Sequence, residues 1–203
     1  MEAVLPRHSS HRDSASGHDR IGPLADVNVL GIRWLAAEAH GQRSVQPEFV
    51  TAVGPMLGSL SESDQLRAAS LPFLLVDLRF HDPEWWEGYS EAKPNSAPTP
   101  AHDTTISLTR SALVLAWHTA RVDRHAALLM LGLSPQVADL IAALHLQDID
   151  HIAAIHSHEL RPRWARQTII WRQLLGTAIR EAEFQPMLRL HCLGLVARDL
   201  INA

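Results

Sequence analysis

The sequence predicts a mainly α chain made of two similar small helical subdomains, an internal duplication in which each copy carries a short strand or extended segment. Three observations lead there. Apolar residues recur at three- and four-residue spacing along most of the chain, with period-two alternation confined to short stretches. A similar order of residues occurs twice: Pro47-Glu48-Phe49, Leu60, Leu66 with Ala68 and Ala69, Leu78 to Phe80, then Trp85 and Trp86; and Pro135-Gln136-Val137, Leu146, Ile152 to Ala154, Arg161 to Trp164, then Ile170 and Trp171. Between the copies lies the stretch 91–103, which holds three prolines and few apolar residues and reads as a linker. A repeat unit of roughly 65 to 70 residues is longer than a solenoid repeat, so the pattern reads as a duplicated small domain that replaces a two-fold homodimer by one chain.

Residues 1–25 lack a sustained apolar stretch and read as a disordered leader. The first repeat, 26–90, opens with Asp26 as N-cap of a helix that carries Val29, Leu30, Ile32, Trp34 and Leu35 and stops at Gly41. Pro47, whose fixed φ suits a first turn, starts a second helix that ends near Gly58. Ser61 caps a short helix through Ala69, and Pro72 closes it. From Phe73 to Phe80, Leu74, Val76, Leu78 and Phe80 alternate with Asp77 and Arg79, which predicts a short strand. Asp82-Pro83 begins a helical turn with Trp85 and Trp86.

The second repeat, 104–180, offers a long helix from Thr105 to Val122 and another from Arg124 to Leu131 ended by Gly132. Further helices run from Pro135 to Leu144, capped by Ser134, and from Asp148 to Ile155. An extended piece from Leu160 to Trp164 precedes a helix from Arg166 to Ile179. If the two extended pieces pair, they join the repeats. A C-terminal helix follows in 181–203, starting at Pro186 with Leu188, Leu190, Leu193 and Val196 in its apolar stripe. Trp86 and Trp171 are expected to be core anchors.

At 203 residues and 46% hydrophobic, the chain has the composition of a globular protein, and its apolar runs are far too short to span a bilayer. No membrane partner is expected. A single cysteine, Cys192, excludes a disulfide framework and points to a reducing, cytoplasmic setting. Seventeen Arg against the single Lys93 fit a GC-rich bacterial coding bias. Residues 1–100 hold eight Lys and Arg against thirteen Asp and Glu, and residues 101–203 hold ten against nine. The acidic overall balance gives no general attraction to nucleic acid. One local basic patch stands out: Arg161, Arg163, Arg166, Arg172 and Arg180 against Glu159 alone.

The run ALVLAWHTARVDRHAALLMLGLSPQVADLIAALHLQDIDHIAAIHSHELRPRW, followed by QTIIWRQLL, resembles the FlhD family of bacterial flagellar transcriptional regulators. Leu131-Gly132, Ala142-Ala143-Leu144 and Arg163-Trp164 carry the likeness. In the first repeat SLPFLLVDLRFHDPEWW is similar to the family's extended piece and the turn after it. The resemblance implies a mostly helical, dimer-forming fold that acts with a partner protein in promoter binding. Family chains are single domains of about half this length, so the duplicated chain either supplies both halves of a dimer or has lost the partner-binding role; a further homo-oligomer stays open.

No catalytic site is expected. The chain has no G-x-S-x-G elbow and no glycine-rich phosphate loop, and Cys192 sits among leucines. Asp77, Asp82, Glu84 and Glu87 read as a solvated acidic face. His145, Asp148, His151, His156 and His158 fall within 14 residues, but they straddle a helix end and are expected to be solvated or capping rather than metal ligands. Neither metal nor cofactor is expected. Arg161, Arg163, Arg166 and Arg172, interleaved with Trp164 and Trp171, are the candidate DNA- or partner-binding residues. The function expected is a non-enzymatic regulator acting through a protein partner, with DNA contact left open; the alternative is an interaction adaptor without nucleic-acid contact.

Overall fold

A computed structural model describes residues 21–41, 46–91 and 103–180, together with Gly194. Helix α1 spans Ile21–Gly41, so residues 21–25 of the expected leader are helical and Asp26 is not the cap. Pro23 is tolerated there because the first-turn N–H groups have no intrahelical acceptor in any case. The leader up to residue 20, the linker stretch 92–102 and, Gly194 apart, the C-terminal helix expected in 181–203 lie outside the described residues.

Helix α2 is Pro47–Ser59, with proline in its first turn as expected. Helix α3, Glu62–Ala69, begins at a reciprocal cap: Ser61 Oγ accepts the Asp64 N–H at 3.2 Å and the Asp64 carboxylate accepts the Ser61 N–H at 3.0 Å. The strand expected over Phe73–Phe80 shrinks to β1, Val76–Asp77. Its flanking backbone groups bond elsewhere. Asn28, buried on α1, accepts the Leu75 N–H at 2.9 Å and donates to the carbonyls of Ala69 and Phe73 at 3.2 and 2.9 Å. The Leu74 N–H reaches the Met130 carbonyl at 2.8 Å, and Arg79 turns the chain with a φ of 51°. The alternation survives as burial: Leu74, Val76, Leu78 and Phe80 are buried, Asp77 and Arg79 only partly. Helix α4, Pro83–Glu91, starts where the Asp82 carboxylate accepts the Trp85 N–H at 3.1 Å.

Helix α5 is Asp103–Val122. Where one α-helix was expected over Arg124–Leu131, a single turn, α6 (Arg124–Ala126), passes into a π-helix, Ala127–Leu131, ended by Gly132 at a φ of 75°. Helices α7 (Pro135–Ala143) and α8 (Leu146–His156) follow, then a 3-10 turn, Ser157–Glu159, and strand β2, Arg161–Pro162. Helix α9 is Thr168–Ile179, two residues shorter at its start than expected.

The strands pair antiparallel, Val76 opposite Pro162 and Asp77 opposite Arg161, and so join the halves. Helix α1 packs on α2, α3 and α5, while α5 packs on α7 and α8. The last helix of each half crosses over: α9 lies on α2 and α3, and α4 lies on α7. One continuous apolar cluster results, from Leu24, Phe49 and Leu75 to Leu113, Ile141 and Trp171. Trp86 and Trp171 are both buried, as expected.

Of the pairs that carried the repeat, Pro47 and Pro135 each open a helix. Leu60 and Leu146 do not match: Leu60 is a buried helix end, whereas Leu146 begins α8 and is 58% exposed. The residue placed like Leu60 is Leu144, since each ends a helix with its N–H on the carbonyl three residues back. Nor does Phe80 match Trp164. Trp164 has a φ of 55°, and its counterpart in backbone conformation is Arg79.

Among the described residues no single helix is long and apolar enough to cross a membrane. Arg124–Leu131 and Pro135–Ala143 together are, but they are bent by 118° and place Leu131, Val137 and Ile141 in the core.

Candidate functional site: the arginines around the last helix

The sequence groups four arginines, and the fold separates them. Arg163 is only 4% exposed. Its guanidinium lies 4.6 Å from the Trp164 ring centroid and donates to the Met130 carbonyl at 3.3 Å. Gly132 makes room for it, because a Cβ at that residue would stand 2.5 Å from Arg163 Nη2. Arg163 therefore ties β2 to the end of the π-helix and has no surface to offer an outside phosphate, which removes it from the expected patch. A buried guanidinium needs such carbonyl and ring neighbours to offset its desolvation.

Arg161 is exposed, but its Nε donates to the Asp77 carboxylate at 3.0 Å across the β1–β2 pair. Arg166, just before α9, and Arg172, on it, are exposed and have no ion-pair partner among the described residues. Arg180 is exposed at the end of the same helix. Helical spacing places Ile169, Arg172, Gln173 and Arg180 along one outward strip, and Ile169 is 60% exposed, with Ile179 at 42% beside it. The inward face holds Ile170, Trp171, Leu174, Leu175 and Ala178 against α2 and α3. Trp171 donates its indole N–H to the Arg163 carbonyl at 2.6 Å and meets Phe49 edge-on at 5.4 Å. The far end of α9 is held by Arg67, which donates to the Ala178 carbonyl at 2.8 Å and is itself ion-paired with Asp64. Hydrogen bonds from Ser61, then the Arg67 charge, hold the Asp64 carboxyl below its ordinary range. The face is thus rigidly mounted, with two isoleucines left in water among three cations. The exposed isoleucines were not singled out from sequence, since α9 is apolar nearly all round and its period does not say which apolar residues stay outside.

The histidines spread. The His145 N–H donates to the Asp148 carboxylate at 2.8 Å, and His158 Nδ1 lies 2.9 Å from the Ile155 carbonyl. His156 packs edge-on against Trp85 at 5.0 Å and lies 6.0 Å from His158. Burial first, then the neighbouring His158, lowers its pKa below the ordinary 6.5, with Glu159 opposing. Among the described residues no three His, Cys, Asp or Glu side chains converge as metal ligands.

Two of the hollows among the described residues bear on a site. One, of about 140 Å³, lies between the start of α1 and the end of α5 and is apolar apart from His118, Thr119 and Asp123. Asp123 is occupied in capping α6, accepting the Ala126 N–H at 3.0 Å. The other is a wide groove of about 650 Å³ between α1 and α2, lined by small residues with no ionisable group. The second therefore holds neither an acid nor a base.

No curated protein and no solved structure matches the chain. The α5–α9 half carries the family evidence: residues 102–199 match the family model FlhD, the flagellar transcriptional activator.

Proposed function

We propose that the chain is a non-enzymatic, cytoplasmic regulatory protein of the FlhD type that works by docking a protein partner on the outward face of α9. The observation that carries this reading is the pair of exposed isoleucines, Ile169 and Ile179, among Arg166, Arg172 and Arg180. Water-exposed apolar anchors inside a charged rim suit a protein interface, and the match of the second half to transcriptional activators supports regulation as the outcome. DNA contact by the assembled complex is part of the proposal. If DNA rather than a protein occupies this face, Arg161, Arg166, Arg172 and Arg180 are the exposed cations that would meet phosphates, whereas Arg163 serves the fold. The test compares transcript levels in a strain lacking the protein with one carrying Arg166→Ala, Arg172→Ala and Arg180→Ala. Both strains are expected to lose regulation of the same transcripts. Unchanged transcripts in the deletion strain overturn the regulatory reading. A salt titration of DNA binding separates regulator from adaptor, since each phosphate contact contributes about −0.9 to the slope of log K on log salt.

We further propose that the two halves arose by duplication and form a pseudo-dimer within one chain. Strand register supports it. Val76 and Arg161 each begin a two-residue strand, and each pairs with the second residue of the other strand. Three residues after each strand begins stands the left-handed residue, Arg79 or Trp164, and seven residues after that a buried tryptophan, Trp86 or Trp171. Each indole donates back to that turn, to the carbonyl of Arg79 or of Arg163. The exchange of last helices between halves is likewise reciprocal, as in an isologous dimer.

A further inference from the structure

If the halves are related as proposed, the surface residues of α4 have counterparts in the first two turns of α9. Counted from the left-handed residues Arg79 and Trp164, Arg166 corresponds to His81, Ile169 to Glu84 and Arg172 to Glu87. All six are exposed. Helices α4 and α9 also start at corresponding positions, Pro83 and Thr168. The scaffold under the two faces is alike: a buried tryptophan anchored to the preceding turn, on a helix that packs on the opposite half, α9 on α2 and α4 on α7. The chemistry on top is reversed. The α9 face offers two free cations and an exposed isoleucine where the α4 face offers two carboxylates and a histidine.

We infer that the chain docks one acidic protein partner, on α9 alone, and that the equivalent face on α4 is closed to the same partner by its charge. The inference rests on the α9 reading and on the pseudo-two-fold above. A symmetric dimer presents every docking face twice and takes two copies of a partner. Here Glu84 and Glu87 set like charges against an acidic surface, and no isoleucine replaces the anchor at residue 84. Opposite charge attracts and like charge excludes at such exposed rims, so electrostatics selects the side as well as the partner. The partner's chemistry follows from the face it meets: carboxylates for Arg166, Arg172 and Arg180, and an apolar recess for Ile169. Assembly is then one to one and one-sided.

The experiment uses the full chain and two probes, a fluorescein-labelled acidic peptide with leucines at helical spacing and a short DNA duplex. Wild type is compared with His81→Arg/Glu84→Ile/Glu87→Arg, which gives α4 the chemistry of α9 at those three positions, and with Arg166→Ala/Arg172→Ala/Arg180→Ala; circular dichroism checks that each is folded. Wild type is expected to bind one peptide per chain, the α4 variant two, and the arginine variant about tenfold more weakly than wild type, the sum of three exposed ion pairs. Two peptides bound by wild type, or one by a folded α4 variant, overturns the one-sided inference while leaving the α9 reading standing. Peptide binding that is unaltered in the arginine variant overturns both. Binding of DNA but not peptide replaces the acidic protein by nucleic acid and overturns the partner class. Self-association of wild type at low salt, lost in the α4 variant, assigns the α9 face to a second copy and overturns the proposal.

Discussion

Replacing Trp171 by alanine is the most severe single test of how the halves are held together. Trp171 is fully buried, meets Phe49 edge-on at 5.4 Å, and donates its indole N–H to the Arg163 carbonyl at 2.6 Å. A buried indole removes about 200 Å² from water, worth about 5 kcal/mol at about 25 cal/mol per Å². Partial collapse of the site brings the expected loss for Trp171→Ala to about 3 to 5 kcal/mol. Trp171→Phe isolates the polar share. The ring stays against Phe49 while the Arg163 carbonyl loses its donor, so a loss of about 1 to 3 kcal/mol is expected. The assay is urea unfolding followed by far-ultraviolet circular dichroism, with the midpoint and slope of each variant compared. Because Trp171 belongs to the last helix of the second half and Phe49 to the second helix of the first, one cooperative transition should move as a whole. An unchanged midpoint for Trp171→Ala would refute the burial argument, and two separated transitions would refute the single shared core.

Gly132→Ala should destabilise by more than the roughly 1 to 2 kcal/mol of a left-handed alanine, because its Cβ would stand 2.5 Å from Arg163 Nη2; Gly132→Ala combined with Arg163→Ala should recover part of the melting-temperature loss, and a purely additive result would sink the coupling. Asn28→Leu keeps a similar volume but strands the Leu75 N–H and the carbonyls of Ala69 and Phe73, so a loss of about 2 to 5 kcal/mol is expected from denaturant titration. His156 favours its neutral form in the fold, so stability is full above its ordinary pKa of 6.5 and falls as pH drops below that toward the lowered folded value. In His156→Phe, the fall in unfolding midpoint between about pH 7 and about pH 5.5 should shrink; an equal fall in both proteins would remove His156 as its cause.

Most helix starts were legible because their signals are local. Pro47, Ser61 and Ser134-Pro135 mark first turns by φ and by side-chain oxygens, and the structure places helices there. The start of α1 was missed because Asp26 looks like a cap, although the helix runs on upstream through Gly22 and Pro23. Long-range bonding was invisible. The strand from Phe73 shrank because Asn28, 47 residues away from Leu75, takes its N–H. Arg163 was read as a surface cation because its sequence neighbours are cations; its true surroundings, Met130 and Gly132, lie a turn, a helix pair and a 3-10 segment upstream. The clue was Gly132 itself, a left-handed helix end whose missing side chain leaves space beside it. The two exposed isoleucines of α9 are set by what α9 packs against, a property of the tertiary structure alone.

The crossing of α9 onto α2 also dictates an order of events during synthesis. When Glu91 leaves the ribosome, the first half already owns α1 to α4, yet the partner of Phe49 does not exist until Trp171 has been added, 80 residues later. At about 5 to 20 residues per second that wait lasts roughly 4 to 16 s. Through that interval the apolar side of α2 and α3 stands open to proteases, chaperones and other nascent copies, and a ribosome stalled before α9 leaves behind a fragment with its core uncovered.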